Sequence, residues 1–89
     1  MRPREHPTSA RLVIEVSDSS LAYDRKSKAP VYAGGGVPEY WIVNVVERVI
    51  EVYTRPGAGG YESRVVRVAG DVIEPVALPG VRIKVTDVL

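Results

Sequence analysis

A chain of 89 residues and 9.7 kDa has room for one domain, and a domain that small buries only roughly 60% of its unfolded surface. With 45% apolar and 26% charged residues it is globular, and 17 Val and 5 Ile against one Trp, five Tyr and no Phe favour a sheet-rich core over a helix bundle. Twelve Lys and Arg against eleven Asp and Glu leave +1, which gives no whole-molecule nucleic-acid footprint, and the absence of Cys excludes disulfides, thiol nucleophiles and Cys-based zinc sites.

Residues 1–10 are polar, carry prolines at 3 and 7, and read as an extended arm. The start, Met-Arg-Pro-Arg-Glu-His-Pro, has no apolar segment of a secretory signal, and no run approaches the ~18 apolar residues of a membrane span. The cytoplasm is therefore the expected compartment. Arg11 to Val16 is a nearly continuous apolar run and predicts a buried strand in the middle of a sheet. Ser17-Asp-Ser-Ser20 is a cluster of capping residues, so a helix is expected from about Ser20 to about Ala33. Leu21, Arg25, Lys28 and Tyr32 fall on one face of that helix, and Asp24 and Lys28 are an i,i+4 pair with the acid first. Pro30 should end or kink the helix, and Gly34-Gly-Gly36 should stop it.

A second strand follows at Glu39–Asn44, then a turn from Val45 to Arg48 and a third strand at Val49–Thr54. Arg55-Pro-Gly-Ala-Gly-Gly60 is dense in turn formers, so the third strand should form an antiparallel hairpin with a fourth at Tyr61–Val68. Gly70-Asp71 turns again, and Ala77 to Val85 holds a turn and a last short strand. The first strand reaches Glu39–Asn44 through a helix, so those two strands should be parallel neighbours. The fold class is α/β in the broad sense (α+β): a mixed, mostly antiparallel sheet of four or five strands with one main helix. Residues 1–89 read as a single domain.

Few residues offer chemistry. Glu15 sits inside Leu12-Val-Ile-Glu-Val16, and alternation puts Val13 and Glu15 on one face and Leu12, Ile14 and Val16 on the other. A carboxylate there is either an ordinary acid paired with a nearby Arg, or a metal-binding group at a strand's C-terminal end. Lys28 lies on the helix that runs back along this strand, so its ammonium could approach Glu15; Lys26 is its near-equivalent, and a solvated lysine is the bland alternative. Asp18 and Asp24 sit favourably near the start of the helix. His6 stands alone in the arm, which excludes multi-His metal sites. Arg2, Arg4, Arg11, Arg25, Lys26 and Lys28 make the first third modestly basic, but Glu5, Glu15, Asp18 and Asp24 largely offset it. No phosphate loop, serine elbow or zinc spacing is present, and Gly34-Gly-Gly36 follows a helix rather than leading one. Tyr40-Trp41 reads as core, not as a base-stacking platform.

Taken in order, Leu12-Val-Ile-Glu-Val-Ser-Asp-Ser-Ser20, Tyr23-Asp-Arg25 with Lys28 and Tyr32, Gly36-Val-Pro-Glu-Tyr-Trp-Ile-Val43 and Glu51-Val-Tyr53 resemble the C-terminal half of the Uma-two family of restriction endonucleases, over residues 6–89. The resemblance implies a partial restriction-endonuclease-like fold of the PD-(D/E)XK class and Mg²⁺-dependent hydrolysis of DNA phosphodiesters. It implies Glu15 as metal ligand and catalytic acid, Lys28 as the catalytic lysine supplied from the helix, and Asp24 as a supporting partner. Asp18 is a further possible supporting acid. Ser17 stands where the usual lysine would be, and Asn44 where Asp is common. The Pro-Asp strand that supplies the first metal-binding Asp has no counterpart in these residues, so the domain is expected to be incomplete. The alternative is an inactive remnant that acts only as a folded or dimerising module. DNA and a second copy of the chain are the expected partners, with no membrane and no organic cofactor.

Overall fold

The computed structural model describes residues 10–19 and 21–89, and the arm expected over 1–10, with His6, Arg2, Arg4 and Glu5, lies outside them save for Ala10. Strand β1 (Leu12–Ser17) leads to helix α1 (residues 21–34), then come β2 (Glu39–Asn44), β3 (Val49–Gly57) and β4 (Gly60–Val68). Two short strands, β5 (Val72–Ile73) and β6 (Ile83–Lys84), and a closing helical turn, α2 (Val85–Val88), complete the fold. The main sheet has the order β1-β2-β3-β4, and β5 pairs with β6 in a separate small sheet. This is a mixed α+β fold, consistent with a restriction-endonuclease-like architecture. β1 and β2 are parallel, with Glu15 opposite Ile42 and Ser17 opposite Asn44, and the β2–β3 and β3–β4 pairs are antiparallel.

The expected mid-sheet burial of β1 is corrected by this order. Among the described residues β1 forms the edge of the main sheet, with Ile14 45% and Val16 70% exposed, and β2 is the strand buried along its whole length. The apolar run of β1 therefore fills the core from only some of its positions. Leu12 packs against the cluster that contains Trp41, and Val13 against the one that contains Tyr40.

Helix α1 runs through Pro30 rather than ending there. Its first turn, Leu21–Tyr23, opens into a π-helical turn at Asp24–Lys28 before the α-helical segment Ala29–Gly34. The widened turn bonds the Ala29 N–H to the Asp24 carbonyl. Pro30 follows at the start of the next segment, where a missing N–H costs least. The expected start at Ser20 lies outside the described residues. The Val37 N–H closes the far end on the Tyr32 carbonyl, and Gly36, at φ +80°, makes the reversal that L side chains resist.

Two apolar clusters sandwich the sheet. On one face Trp41, Val43, Ile50 and Val52 pack with Ile73 and Val85 from the C-terminal segment. On the other, Ala29 of α1 packs with Tyr40, Ile42 and Tyr53. Glu39 ties the first side together, accepting from the Trp41 indole N–H at 2.8 Å and the Ala77 backbone N–H at 3.0 Å.

Candidate functional site

Alternation along β1 aims Glu15 at α1, and the face shared by Leu21, Arg25, Lys28 and Tyr32 points back at the sheet. The two meet in one network. Glu15 Oε2 accepts from the Tyr32 hydroxyl at 2.8 Å, and Oε1 accepts from the Tyr40 hydroxyl at 3.1 Å. The Lys28 ammonium lies 3.1 Å from Oε1 and 3.8 Å from an Asp24 oxygen. The rings of Tyr32 and Tyr40 are 4.9 Å apart, so both hydroxyls are held by packing. Burial alone would push the Glu15 carboxyl up, but the bonds from Tyr32, Lys28 and Tyr40 outweigh it and hold its pKa below the ordinary value. The bond to Glu15 pushes the Lys28 ammonium the other way, upward. Both groups are charged at neutral pH.

The structure therefore joins three of the residues singled out in the sequence: Glu15, Lys28 and Asp24. Asp24 of the helix is buried, while Lys26 is exposed. Asp18 stands apart. It is exposed past the end of β1, and its carboxylate accepts from the backbone N–H of Ser19 and from the Ser19 hydroxyl at 3.3 Å. Those bonds lower its pKa. Ser17 is buried opposite Asn44, whose Oδ1 accepts from the Glu47 N–H at 3.1 Å; Asn44 Nδ2 has no partner among the described residues.

A second carboxylate was missed in the sequence. Glu51 of β3 is buried on the same face of the sheet, and Arg25, from the same turn of α1 as Lys28, reaches it. Arg25 grips it with both Nε, at 3.0 Å from Oε1, and a terminal nitrogen on Oε2. The Tyr53 hydroxyl donates to Oε1 at 2.7 Å, and an Arg64 nitrogen lies 3.4 Å from Oε2. Burial opposes ionisation here too, but the two guanidiniums and Tyr53 win and hold the Glu51 pKa down at about 2. The signal was the one that singled out Glu15: an acid inside an apolar strand, with Ile50 and Val52 on the opposite face.

A Mg²⁺ ion asks for near-octahedral oxygen ligands. Among the described residues no group of three or more His, Cys, Asp or Glu gathers to hold a metal. Both oxygens of Glu15 already accept from protein donors, and the Lys28 ammonium occupies the place a cation would take. The described residues do not fit a Mg²⁺ centre. No helix among them is long and apolar enough to cross a membrane.

No curated protein matches the chain. Residues 2–86 match the model of the Uma2 family, described as "Putative restriction endonuclease", and the chain belongs to that family.

Proposed function

We propose that this member of the Uma2 family acts on DNA phosphodiesters, with Lys28 as the residue that meets the substrate and Glu15 as the carboxylate that positions it. The observation that carries the reading is the 3.1 Å pair that Lys28 and Glu15 form between helix and strand. Lys28, 39% exposed at its side chain, is placed to stabilise charge that develops on a phosphate oxygen. Glu15 holds the ammonium in position and stays ionised. Asp24 limits where the ammonium can move, and Tyr32 holds the Glu15 carboxylate beside it. The Mg²⁺ that the family resemblance implies would need oxygen ligands from a further carboxylate-bearing segment, and the roles given to Lys28 and Glu15 do not depend on it.

One specific observation favours the second reading, a folded or dimerising module without chemistry. Both Glu15 oxygens accept from donors of its own chain, three in all, as they would in a purely structural acceptor. Plasmid nicking with Mg²⁺ or Mn²⁺ separates the two. Cleavage that disappears in both Lys28→Ala and Glu15→Ala, with the fold retained by circular dichroism, supports the first. No cleavage, together with no heat of Mg²⁺ binding by calorimetry, supports the second.

A further inference from the structure

The outer edge of β1 has no strand beside it among the described residues. Its backbone pattern can be read from one bond. The Ser17 carbonyl accepts from the Val45 N–H at 3.1 Å, so Ser17 turns its backbone groups toward β2. Those groups alternate sides along a strand. Val13 and Glu15 therefore also face β2, and Leu12, Ile14 and Val16 present their N–H and C=O groups to the open edge. The side chains of the same three residues lie on the face away from α1, where Ile14 and Val16 are exposed. An edge of this kind, unblocked by Pro or Lys, is a template for another strand.

We propose that the occupant is a second copy of this chain, paired antiparallel through β1 about a two-fold axis at Ile14. Edge hydrogen bonds form only where outward-facing residues stand opposite one another. With Ile14 opposite the partner's Ile14, Leu12 meets the partner's Val16, and all three outward-facing residues of each strand are used. A shift of one residue sets outward groups against inward ones. A shift of two toward the C-terminus sets Glu15 against the partner's Glu15. A shift of two the other way leaves Val16 outside the ladder formed by the two β1 strands.

Charge selects the same arrangement. Arg11 lies at one end of the strand, and Glu15 and Asp18 lie toward the other. Antiparallel pairing puts Arg11 opposite the partner's Ser17 and diagonal to the partner's Glu15, within reach of a long side chain. Parallel pairing would set like charges side by side. The other edge of the sheet, β4, carries Glu62 with Arg64 and Arg67, so charge does not decide against it, and a cysteine at Val66 tests it below. The pairing closes as an isologous dimer, and it brings the Arg11 guanidinium of one copy to the Glu15–Lys28 network of the other.

The chain has no Cys, so single cysteines report cleanly. Opposed residues of a hydrogen-bonded antiparallel pair sit roughly 5.5 Å apart at Cα, inside disulfide range. Under mild oxidation Ile14→Cys should run as a covalent dimer, while Val13→Cys and Val66→Cys stay monomeric. Sedimentation of the unmodified chain should give twice 9.7 kDa. Ile14→Lys, a change at an exposed side chain, should sediment as a monomer with an unchanged circular dichroism spectrum, and Arg11→Glu should weaken the dimer several-fold. A monomer at high concentration overturns the proposal. So does cross-linking of Val13→Cys or Val66→Cys as readily as Ile14→Cys, or a folded Ile14→Lys that remains dimeric.

Discussion

Arg25 and Glu51 are 26 residues apart in the chain, yet the Arg25 guanidinium closes on the buried Glu51 carboxylate with two nitrogens, one of them Nε at 3.0 Å. Beside it, Lys28 closes on Glu15 from the same turn of α1. The helix is thus fastened to the sheet by two ion pairs, one on β3 and one on the edge strand β1. The π-helical turn at Asp24–Lys28 carries both cations and the buried Asp24. Such turns recur at functional sites, because they let more side chains of one turn face a single surface.

The two arginines on Glu51 should differ in effect. Removing Arg25 strips the buried carboxylate of its two-nitrogen partner; a fully buried pair would lose more, but Arg25 is 40% exposed and Arg64 remains. Arg25→Ala is expected to lower stability by about 2 kcal/mol, and Arg64→Ala, which removes an exposed 3.4 Å contact, by less than about 1 kcal/mol. Urea unfolding midpoints of the two variants check the order.

Acid should unfold the protein through the same carboxylates. The folded-state pKa of Glu51, about 2, and that of Glu15 both lie below the ordinary carboxylate value. A depressed pKa contributes stability above the unfolded value and loses it as pH falls through the folded one. Stability is therefore expected to be level above about pH 5 and to fall between about pH 4 and pH 2. Glu51→Gln should lower stability at neutral pH and flatten the fall. Thermal melts across pH 2–7 read both effects.

Glu15→Ala leaves the hydroxyl of the fully buried Tyr40 without its acceptor. An unsatisfied buried donor costs about 1–3 kcal/mol, so the variant should be destabilised by that amount. Tyr40→Phe made together with it should recover part of the loss, since the orphaned donor is then gone. A double-mutant cycle by urea denaturation measures the recovery.

Glu39→Ala should loosen the C-terminal segment. It removes the acceptor for both the Trp41 indole and the Ala77 N–H, and is expected to cost about 2–3 kcal/mol. Amide exchange should speed up first at Ala77, ahead of the β2–β3 ladder.

Gly36→Ala tests the helix stop alone. A Cβ at Gly36 would meet nothing within 4 Å, so only the φ of +80° resists it. The expected loss is about 1 kcal/mol, read as a small drop in melting temperature.

Much of this fold was written in local pattern. Alternating and continuous apolar runs placed β1 to β4, and the crossover helix implied that β1 and β2 run parallel; the turn formers of 55–60 implied the β3–β4 hairpin, but the ladder continues to Gly57 and Gly60 and leaves only Ala58 and Gly59 as the turn. Helical spacing put Arg25, Lys28 and Tyr32 on one face, and the period of two put Glu15 on the matching side of β1. These are properties of neighbours in sequence, so sequence alone determined them. What lay between distant segments was decided by the tertiary structure. β1 and β2 are both apolar runs, and only the strand order made one the edge and the other the centre. Glu15 and Glu51 are both acids in such strands, and only packing against α1 assigned Lys28 and two tyrosine hydroxyls to the first and two arginines to the second. The metal centre implied by family resemblance met the same limit: a carboxylate's type is local, but whether its oxygens are free for an ion depends on the donors the fold brings to them. In this chain those donors are Tyr32, Tyr40 and Lys28, and their protons occupy both oxygens of Glu15.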